Sequence, residues 1–126
     1  MAIRVVPANT MVWDQLDFFQ GDFFTRVTGI VAADLVLVLF VNNAPMSWTL
    51  VTGSGVSDAQ VRPGRVYLDE VAAGYYGIRM KLNTIGYWRL GFRYAVGVQE
   101  IALDYDVVNV PDVASLGLRA NFTGRP

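Results

Sequence analysis

Hydrophobic and polar residues alternate one by one through residues 75–108, and this is the clearest pattern in the chain. Side chains of a β-strand point to opposite faces with a period of two, so each alternating run predicts a strand with one buried and one wet side. Three such runs follow one another, and we expect neighbouring antiparallel strands, with residues 83–86 as a hairpin loop. The residues predicted to face inward are Tyr76, Ile78, Met80 and Leu82 in the first run, Trp88, Leu90, Phe92 and Tyr94 in the second, and Ile101, Leu103, Tyr105 and Val107 in the third.

Shorter apolar runs between turn-forming residues continue this pattern towards the N-terminus. Residues 35–41 are apolar on both faces and end at the turn signal Asn42-Asn43. Such a strand needs a second cover, which is either a terminal arm of the chain or another subunit. The pattern contains no convincing helix and predicts an all-β, immunoglobulin-like antiparallel β-sandwich of about seven or eight strands. We divide it into an N-terminal arm or edge segment (1–22), a β-sandwich domain (23–108) and a C-terminal arm (109–126).

Composition narrows the range of functions. The chain has 126 residues, which fits one domain, and contains no cysteine and no histidine. Disulfides, thiolate-bound metals and the commonest general base are thereby excluded, and we expect no cofactor. The net charge of −1 argues against nucleic acid as a partner. The longest apolar run, residues 35–41, is far shorter than the ~20 residues of a spanning helix, so we expect no membrane partner.

An enzymatic function is not expected from the remaining side chains. The serines lack a histidine base, and Asp69 and Glu70, adjacent in a strand, point opposite ways. Asp104 and Asp106 share a face, but a flat one with arginines beside it. A calcium site is the other chemical alternative, yet the spacing of the aspartates near the N-terminus matches no loop motif and favours solvated turn carboxylates. These aspartates are Asp14, Asp17 and Asp22.

Outward positions of the predicted strands carry arginines and aromatic residues. Arg79, Arg89 and Arg93 are predicted to form a docking surface for an acidic patch on another protein. The ordinary alternative is cross-strand pairing with the outward aspartates, which contributes about 0.2–1 kcal/mol per pair. Exposed aromatic residues mark protein interfaces at least as often as sugar sites, so they are predicted to contact the same partner or, alternatively, a glycan. The aromatic candidates are Trp13, Tyr75 and Tyr87.

Two segments resemble known immunoglobulin-like domains. Gly74-Tyr-Tyr-Gly-Ile-Arg79, followed by Gly86-Tyr-Trp-Arg-Leu-Gly-Phe-Arg-Tyr94, is similar to the glycine–aromatic rhythm of bacterial and phage immunoglobulin-like domains. Residues 99–108 look like the last strand of small tailed-phage virion proteins. Because both cysteines of true immunoglobulin domains are missing, the resemblance implies only the sandwich.

The function that this resemblance implies is structural. It points to a non-enzymatic phage protein, such as a capsid decoration, tail or neck component, with no catalytic residues. Its partners would be copies of itself and other virion subunits, joined in a homo-oligomer or symmetric assembly. We expect it in the virion, which assembles in the host cytoplasm. The alternative is an immunoglobulin-like module that recognises a cell-surface glycan.

Overall fold

Nine β-strands make up the regular structure of a computed structural model that describes residues 3–20, 22, 24–94 and 99–109. Two short 3₁₀ turns, Ala32–Asp34 and Asp58–Gln60, are the helical elements of these residues. The strands are β1 (Arg4–Pro7), β2 (Met11–Leu16), β3 (Leu35–Val41), β4 (Ala44–Met46), β5 (Thr49–Thr52), β6 (Arg65–Ala72), β7 (Tyr75–Lys81), β8 (Gly86–Tyr94) and β9 (Gln99–Val108).

The strands form two sheets. The five-stranded sheet has the order β1-β9-β8-β3-β4, and the four-stranded sheet has the order β2-β7-β6-β5. The prediction of an all-β sandwich is confirmed, with nine strands in place of the seven or eight expected. Both sheets are mixed, because β1 pairs with β9 and β5 pairs with β6 in parallel, whereas the other pairs are antiparallel as expected.

Sheet changes between consecutive strands explain the parallel pairs. β1 and β2 are joined by residues 8–10 but belong to different sheets, so they cannot form a hairpin with each other. β1 instead runs along the free edge of β9. β4 and β5 change sheets in the same way at the opposite edge, and β5 then returns through residues 53–64 to lie parallel to β6. A parallel pair needs such a long connection.

The core lies between the two sheets and is built from the inward residues that the alternation predicts. Tyr76, Ile78 and Met80 of β7 are fully buried against the equally buried inward residues of β8. Each fully buried large apolar side chain contributes about 1.5–3 kcal/mol relative to an exposed one. Trp88 donates its indole N–H to the carbonyl of Thr84 at 2.7 Å and lies edge-on to another ring at 5.1 Å. The second ring is Trp48.

The expected hairpin between β7 and β8 is wrong. β7 pairs with β2 and β6, whereas β8 pairs with β3 and β9, so residues 82–85 carry the chain from one sheet to the other. Alternation shows which side of a strand is buried, but both sheets bury the same kind of side chain between them. It therefore does not show to which sheet a strand belongs. As a consequence, the outward sides of β7 and β8 lie on opposite surfaces of the molecule.

The β3–β4 connection is the tight turn that its sequence predicts. Asn42 and Asn43 have φ values of 51° and 67°, and Val41 pairs with Ala44 across the turn. Positive φ at both central residues is the signature of a type I′ hairpin, whose twist matches that of the flanking strands. Asn42 also accepts the Tyr87 backbone N–H at 3.0 Å, which ties the turn to the start of β8.

The N-terminal segment lies along the edges of the sandwich. β1 is the edge strand of the five-stranded sheet and β2 that of the four-stranded sheet, and Val6, Val12 and Leu16 are buried in the core. The division of the chain into an arm, a sandwich domain and a second arm stays a prediction. Apart from Asn109, the predicted C-terminal arm lies outside the described residues.

Candidate interaction surfaces

The six residues predicted to bind a partner divide between two opposite faces. Those on β8 lie on the outer face of the five-stranded sheet, and those on β2 and β7 lie on the outer face of the four-stranded sheet. The single basic surface that we expected does not exist, because β7 and β8 belong to different sheets. The first set is Tyr87, Arg89 and Arg93, and the second is Trp13, Tyr75 and Arg79.

Arg79 is nearly buried although it occupies an outward position. The loop of residues 53–61 folds over it, and one guanidinium nitrogen donates to the Val56 carbonyl at 2.8 Å and to Asp58 at 3.0 Å. The other nitrogen donates to the Gly53 carbonyl and to Asp69, both at 3.0 Å. The alternation did not reveal this pairing, because the partners lie 10 to 26 residues away in the chain. Arg79 therefore holds the loop on the sheet.

The same loop seals a small secondary cluster on the outer face of the four-stranded sheet. Tyr67 and Val61 are buried beneath it, outside the main core between the sheets. Gly53 passes so close to Asp69 that a Cβ atom there would lie 2.4 Å from the carboxylate. A side chain at position 53 would therefore displace the Asp69 carboxylate, which Arg79 holds.

Two aromatic side chains remain exposed on the four-stranded sheet. Trp13, 46% exposed, has its ring against Gly77, where a Cβ atom would lie 3.0 Å from the ring. Tyr75, 43% exposed, carries the Arg26 guanidinium over its ring at 3.9 Å from the centroid. Arg26 is in turn paired with Asp17 at 2.5 Å. These rings form an aromatic shelf on that face.

The outer face of the five-stranded sheet consists of parallel columns of unlike chemistry. β3 contributes an apolar column, which includes Val36 and Phe40, at 48% and 37% exposure. β8 contributes a mainly basic column and β9 a mainly acidic one, and the register places Arg93 beside Glu100. The small residues of the middle level leave a hollow of about 260 Å³. It is lined by Val38, Phe40, Arg89, Gly91, Glu100 and Ala102.

On this face, the carboxylate of Asp104 already interacts with neighbouring side chains of the same chain. Asp104, 8% exposed, accepts the Tyr87 hydroxyl at 2.6 Å and lies 3.9 Å from Arg89. The hydrogen bond to Asp104 raises the pKa of Tyr87. For Arg89, the structure therefore shows cross-strand pairing with an outward aspartate, which was the alternative to a free docking surface. Arg93 and Glu100 are both exposed, and neither forms an ion pair with another described residue.

A polar contact closes the sandwich near its β1–β2 edge. The Tyr105 hydroxyl of β9 donates to Asp14 of β2 at 2.5 Å, and Arg4 lies 3.8 Å from the same carboxylate. Burial, followed by the hydrogen bond to Asp14, raises the pKa of Tyr105. This contact joins the two sheets through side chains that face each other across the interior.

The three aspartates considered for calcium bind separate partners. Asp14 bonds Tyr105, Asp17 bonds Arg26, and Asp22 accepts the backbone N–H groups of residues 24 and 25 at 2.9 Å. Among the residues that the structure describes, no group of three or more acidic side chains is placed to hold a metal ion. No helix within those same residues has the length and hydrophobicity needed to cross a membrane.

Comparison with known proteins gives no family. No protein-family model matches the chain, and no curated protein matches it. Among solved structures, it is similar to titin Ig tandem domains, with 9% sequence identity and a TM-score of 0.37. The match covers 86% of this chain and 45% of that one, so the chain spans less than half of the titin structure.

Proposed function

We propose that this chain is a non-enzymatic structural protein that binds protein partners through the outer face of its five-stranded sheet. The observation that carries the proposal is the apolar column of β3, with Val36 and Phe40 exposed in the interior of a sheet. An outward strand face that meets only water is normally polar. A contiguous exposed apolar strip rimmed by charges is typical of an interaction surface.

The proposed setting is a phage particle, in which the chain would be a capsid decoration, tail or neck component. What supports this setting is the resemblance of residues 74–79, 86–94 and 99–108 to phage immunoglobulin-like and virion proteins. These residues fall in or beside β7, β8 and β9, which supply much of the core. The proposed partners are other copies of the chain and further virion subunits, and the proposed location is the virion.

The test is incorporation into particles. The chain is produced together with the genes that neighbour its own, particles are purified, and the chain is quantified in them by mass spectrometry. Phe40→Glu places a charge in the exposed apolar column and is expected to lower incorporation at least about tenfold, which corresponds to about 1.4 kcal/mol.

The matched control for this test lies on the other sheet. Val71→Glu changes an equally apolar and more exposed residue of β6, 62% exposed, and should leave incorporation unchanged. Absence of the wild-type chain from every particle fraction, or an equal effect of both substitutions, would contradict the proposal.

A glycan-binding module is a second candidate, favoured by the aromatic shelf of Trp13 and Tyr75. Stacking of a sugar on exposed rings needs a flat aromatic surface, which the Trp13 indole provides against Gly77. On a glycan array, binding that is lost in Trp13→Ala and kept in Phe24→Ala would support this function. Phe24 is 87% exposed and belongs to a loop, so it serves as the control. An array with no binding would argue against it.

A further inference from the structure

We propose that the partner on the outer face of the five-stranded sheet is a second copy of this chain, packed face to face about a two-fold axis. The axis runs parallel to the strands, midway between β8 and β9. This inference rests on the proposed function, since it names the partner of the same surface. It is supported by the outward side chains of four neighbouring strands and by the small residues Gly91 and Ala102 at the centre of the face.

The columns are arranged so that the face is complementary to itself. From β1 to β3 they run apolar, acidic, basic, apolar: exposed Val5 of β1 with Ile3 just before the strand, acidic residues on β9, arginines on β8, and the apolar column on β3. A two-fold rotation about the proposed axis exchanges β8 with β9 and β1 with β3. Each basic column then faces an acidic column, and Ile3, just before β1, stands opposite Phe40 of β3. Val5 stands level with Asn42, and no described residue of the β1 segment stands level with Val36. An isologous contact requires such self-complementarity.

The register extends this match to individual levels along the strands. Rotation about an axis parallel to the strands keeps the level of each residue, and Arg93 stands beside Glu100 at one level. Arg93 of one copy therefore faces Glu100 of the other, twice in the dimer. Phe40 stands level with Arg89 and Asp104. β1 begins with Arg4 paired to Tyr105, and continuing that register by one residue puts Ile3 beside Asp104. Phe40 of one copy thus meets Ile3 of the other.

The small residues of the face lie where the two copies would approach most closely. Gly91 and Ala102 are paired across β8 and β9, and the proposed axis passes between them. In the dimer each faces the other's counterpart, and the Glu100 carboxylate, which lies over Gly91, would face the partner at this level. The hollow of about 260 Å³ at this level has room for the longer side chains at its rim to interdigitate. Face-to-face sheets pack about 10 Å apart.

The size of the face indicates a weak dimer. Four strands about 4.8 Å apart and about seven residues long at 3.4 Å per residue cover about 450 Å² in plan. Stable interfaces bury about 800 Å² per partner, so a dissociation constant in the micromolar range is expected. Many equivalent weak contacts suit a symmetric particle, in which each is reinforced by its neighbours.

The deciding experiment mixes two charge-reversed variants of the full-length chain. In Arg93→Glu alone, the proposed dimer places two glutamates against each other at both contacts, and in Glu100→Arg alone it places two arginines there. Each variant is expected to dimerise at least about tenfold more weakly than wild type. In an equimolar mixture, however, every cross-contact of the heterodimer pairs opposite charges. Sedimentation equilibrium should therefore show the mixture dimerising more strongly than either variant alone.

Two further variants keep the result interpretable. Ala102→Arg puts a long side chain at the axis and should abolish dimers, whereas Thr49→Arg, on the exposed edge strand of the other sheet, should not. Circular dichroism confirms that each variant is folded. If Ala102→Arg does not fold, the mixing experiment alone decides, because its prediction depends only on exposed residues.

The outcomes separate this inference from the proposed function. A wild-type chain that stays monomeric near 1 mM, far above the micromolar constant expected, or a mixture no more associated than its components, would overturn the second copy as partner. If Phe40→Glu still lowers incorporation into particles in that case, a different protein occupies the face and the proposed function stands. If the chain dimerises as described but enters no particle, the dimer stands and the proposed function fails.

Discussion

Arg79 and Arg93 occupy equivalent outward positions on consecutive strands of the chain, but their surroundings differ. The guanidinium of Arg79 is enclosed by two carbonyls and two carboxylates, and its side chain is 10% exposed. Arg93 is exposed to solvent. The difference arises because the long connection of a parallel strand pair crosses over β7 and none of the described residues crosses over β8. An outward arginine therefore serves either the fold or a partner according to what covers it.

Replacing Arg79 by Met is expected to destabilise the protein by about 3 kcal/mol. The substitution leaves Asp69 and two loop carbonyls without their donor in a place that excludes most water. Arg62→Met, at an exposed loop position, serves as the control and should change the free energy of unfolding by less than about 0.5 kcal/mol. Urea denaturation of both variants measures the difference. Equal stabilities would mean that the loop does not depend on Arg79.

Tyr105 makes stability depend on pH in the alkaline range. Its pKa is raised in the folded protein, so the folded state keeps the proton while an unfolded tyrosine, with a pKa of about 10, loses it. The contribution of Tyr105 to the free energy of unfolding is therefore fully present below about pH 10. It decreases as the pH rises further, by up to about 1.4 kcal/mol per pH unit.

Comparison with Tyr105→Phe isolates this effect from those of the other tyrosines. At pH 7 the variant should be less stable by about 1–2 kcal/mol, because the hydrogen bond to Asp14 is lost. Above pH 10 the difference in stability should shrink, because unfolding then releases the Tyr105 proton in the wild type, which favours its unfolded state, and the variant has no such proton. Denaturant titrations from neutral to alkaline pH provide the measurement. A difference that stayed constant with pH would show that Tyr105 ionises normally in the folded state.

The β3–β4 turn offers a test at the level of a single element. Asn43 has a φ of 67°, which asparagine tolerates, glycine adopts freely and alanine resists. Asn43→Gly should keep or raise stability, since Asn-Gly is the preferred type I′ pair. Asn43→Ala should lower it by about 1 kcal/mol. Thermal unfolding of both variants checks the order, and a turn that accepted alanine as well as glycine would not be of type I′.

The connection between β2 and β3 depends on Tyr76. Its buried hydroxyl donates to the Val27 carbonyl at 2.7 Å and accepts the Ile30 N–H at 3.0 Å. Tyr76→Phe leaves both backbone groups without this partner and should destabilise by about 1–3 kcal/mol. Amide hydrogen exchange should accelerate first at Ile30. Tyr67→Phe removes a buried hydroxyl that bonds none of the described residues, so its exchange pattern should match that of the wild type.

Sequence reasoning recovers the last three strands, β7, β8 and β9, and their buried sides, because both are local properties. The inward residues of β7, β8 and β9 were all predicted correctly from the period of two, and the Asn42-Asn43 turn from its residue types. Sheet membership is not local. It depends on whether residues 82–85 turn back or cross the core, and the inward faces of both sheets read alike in the sequence.

The error over sheet membership accounts for the error over the candidate site. The alternation makes β7 and β8 neighbours and so predicts Arg79 beside Arg89 and Arg93 on one surface. The structure separates them by the thickness of the sandwich and brings Val5 of β1, with Ile3 just before it, onto the five-stranded face instead. The sequence held no signal for this placement of β1, since a parallel edge pair is set by the path of the chain and not by the pattern of one strand.

At the scale of the whole molecule, assembly and folding stability are linked. A second copy that binds only the folded chain stabilises it by mass action, so the melting temperature must rise with protein concentration. Each tenfold increase adds about 1.4 kcal/mol per mole of dimer, or about 0.7 kcal/mol per chain, which is about 2–4 °C for a domain of this size. The rise should begin at the concentration at which dimers form.

The Ala102→Arg and Thr49→Arg variants make this expectation specific to one face. Thermal unfolding followed by circular dichroism over a hundredfold concentration range should give a constant melting temperature for Ala102→Arg and a rising one for Thr49→Arg and wild type. Irreversible aggregation would lower the melting temperature with concentration, so its sign differs from that of dimerisation. A melting temperature that rose equally in all three proteins would place the contact elsewhere on the molecule, because the arginine at position 102 cannot be accommodated where Gly91 and Ala102 of two copies meet.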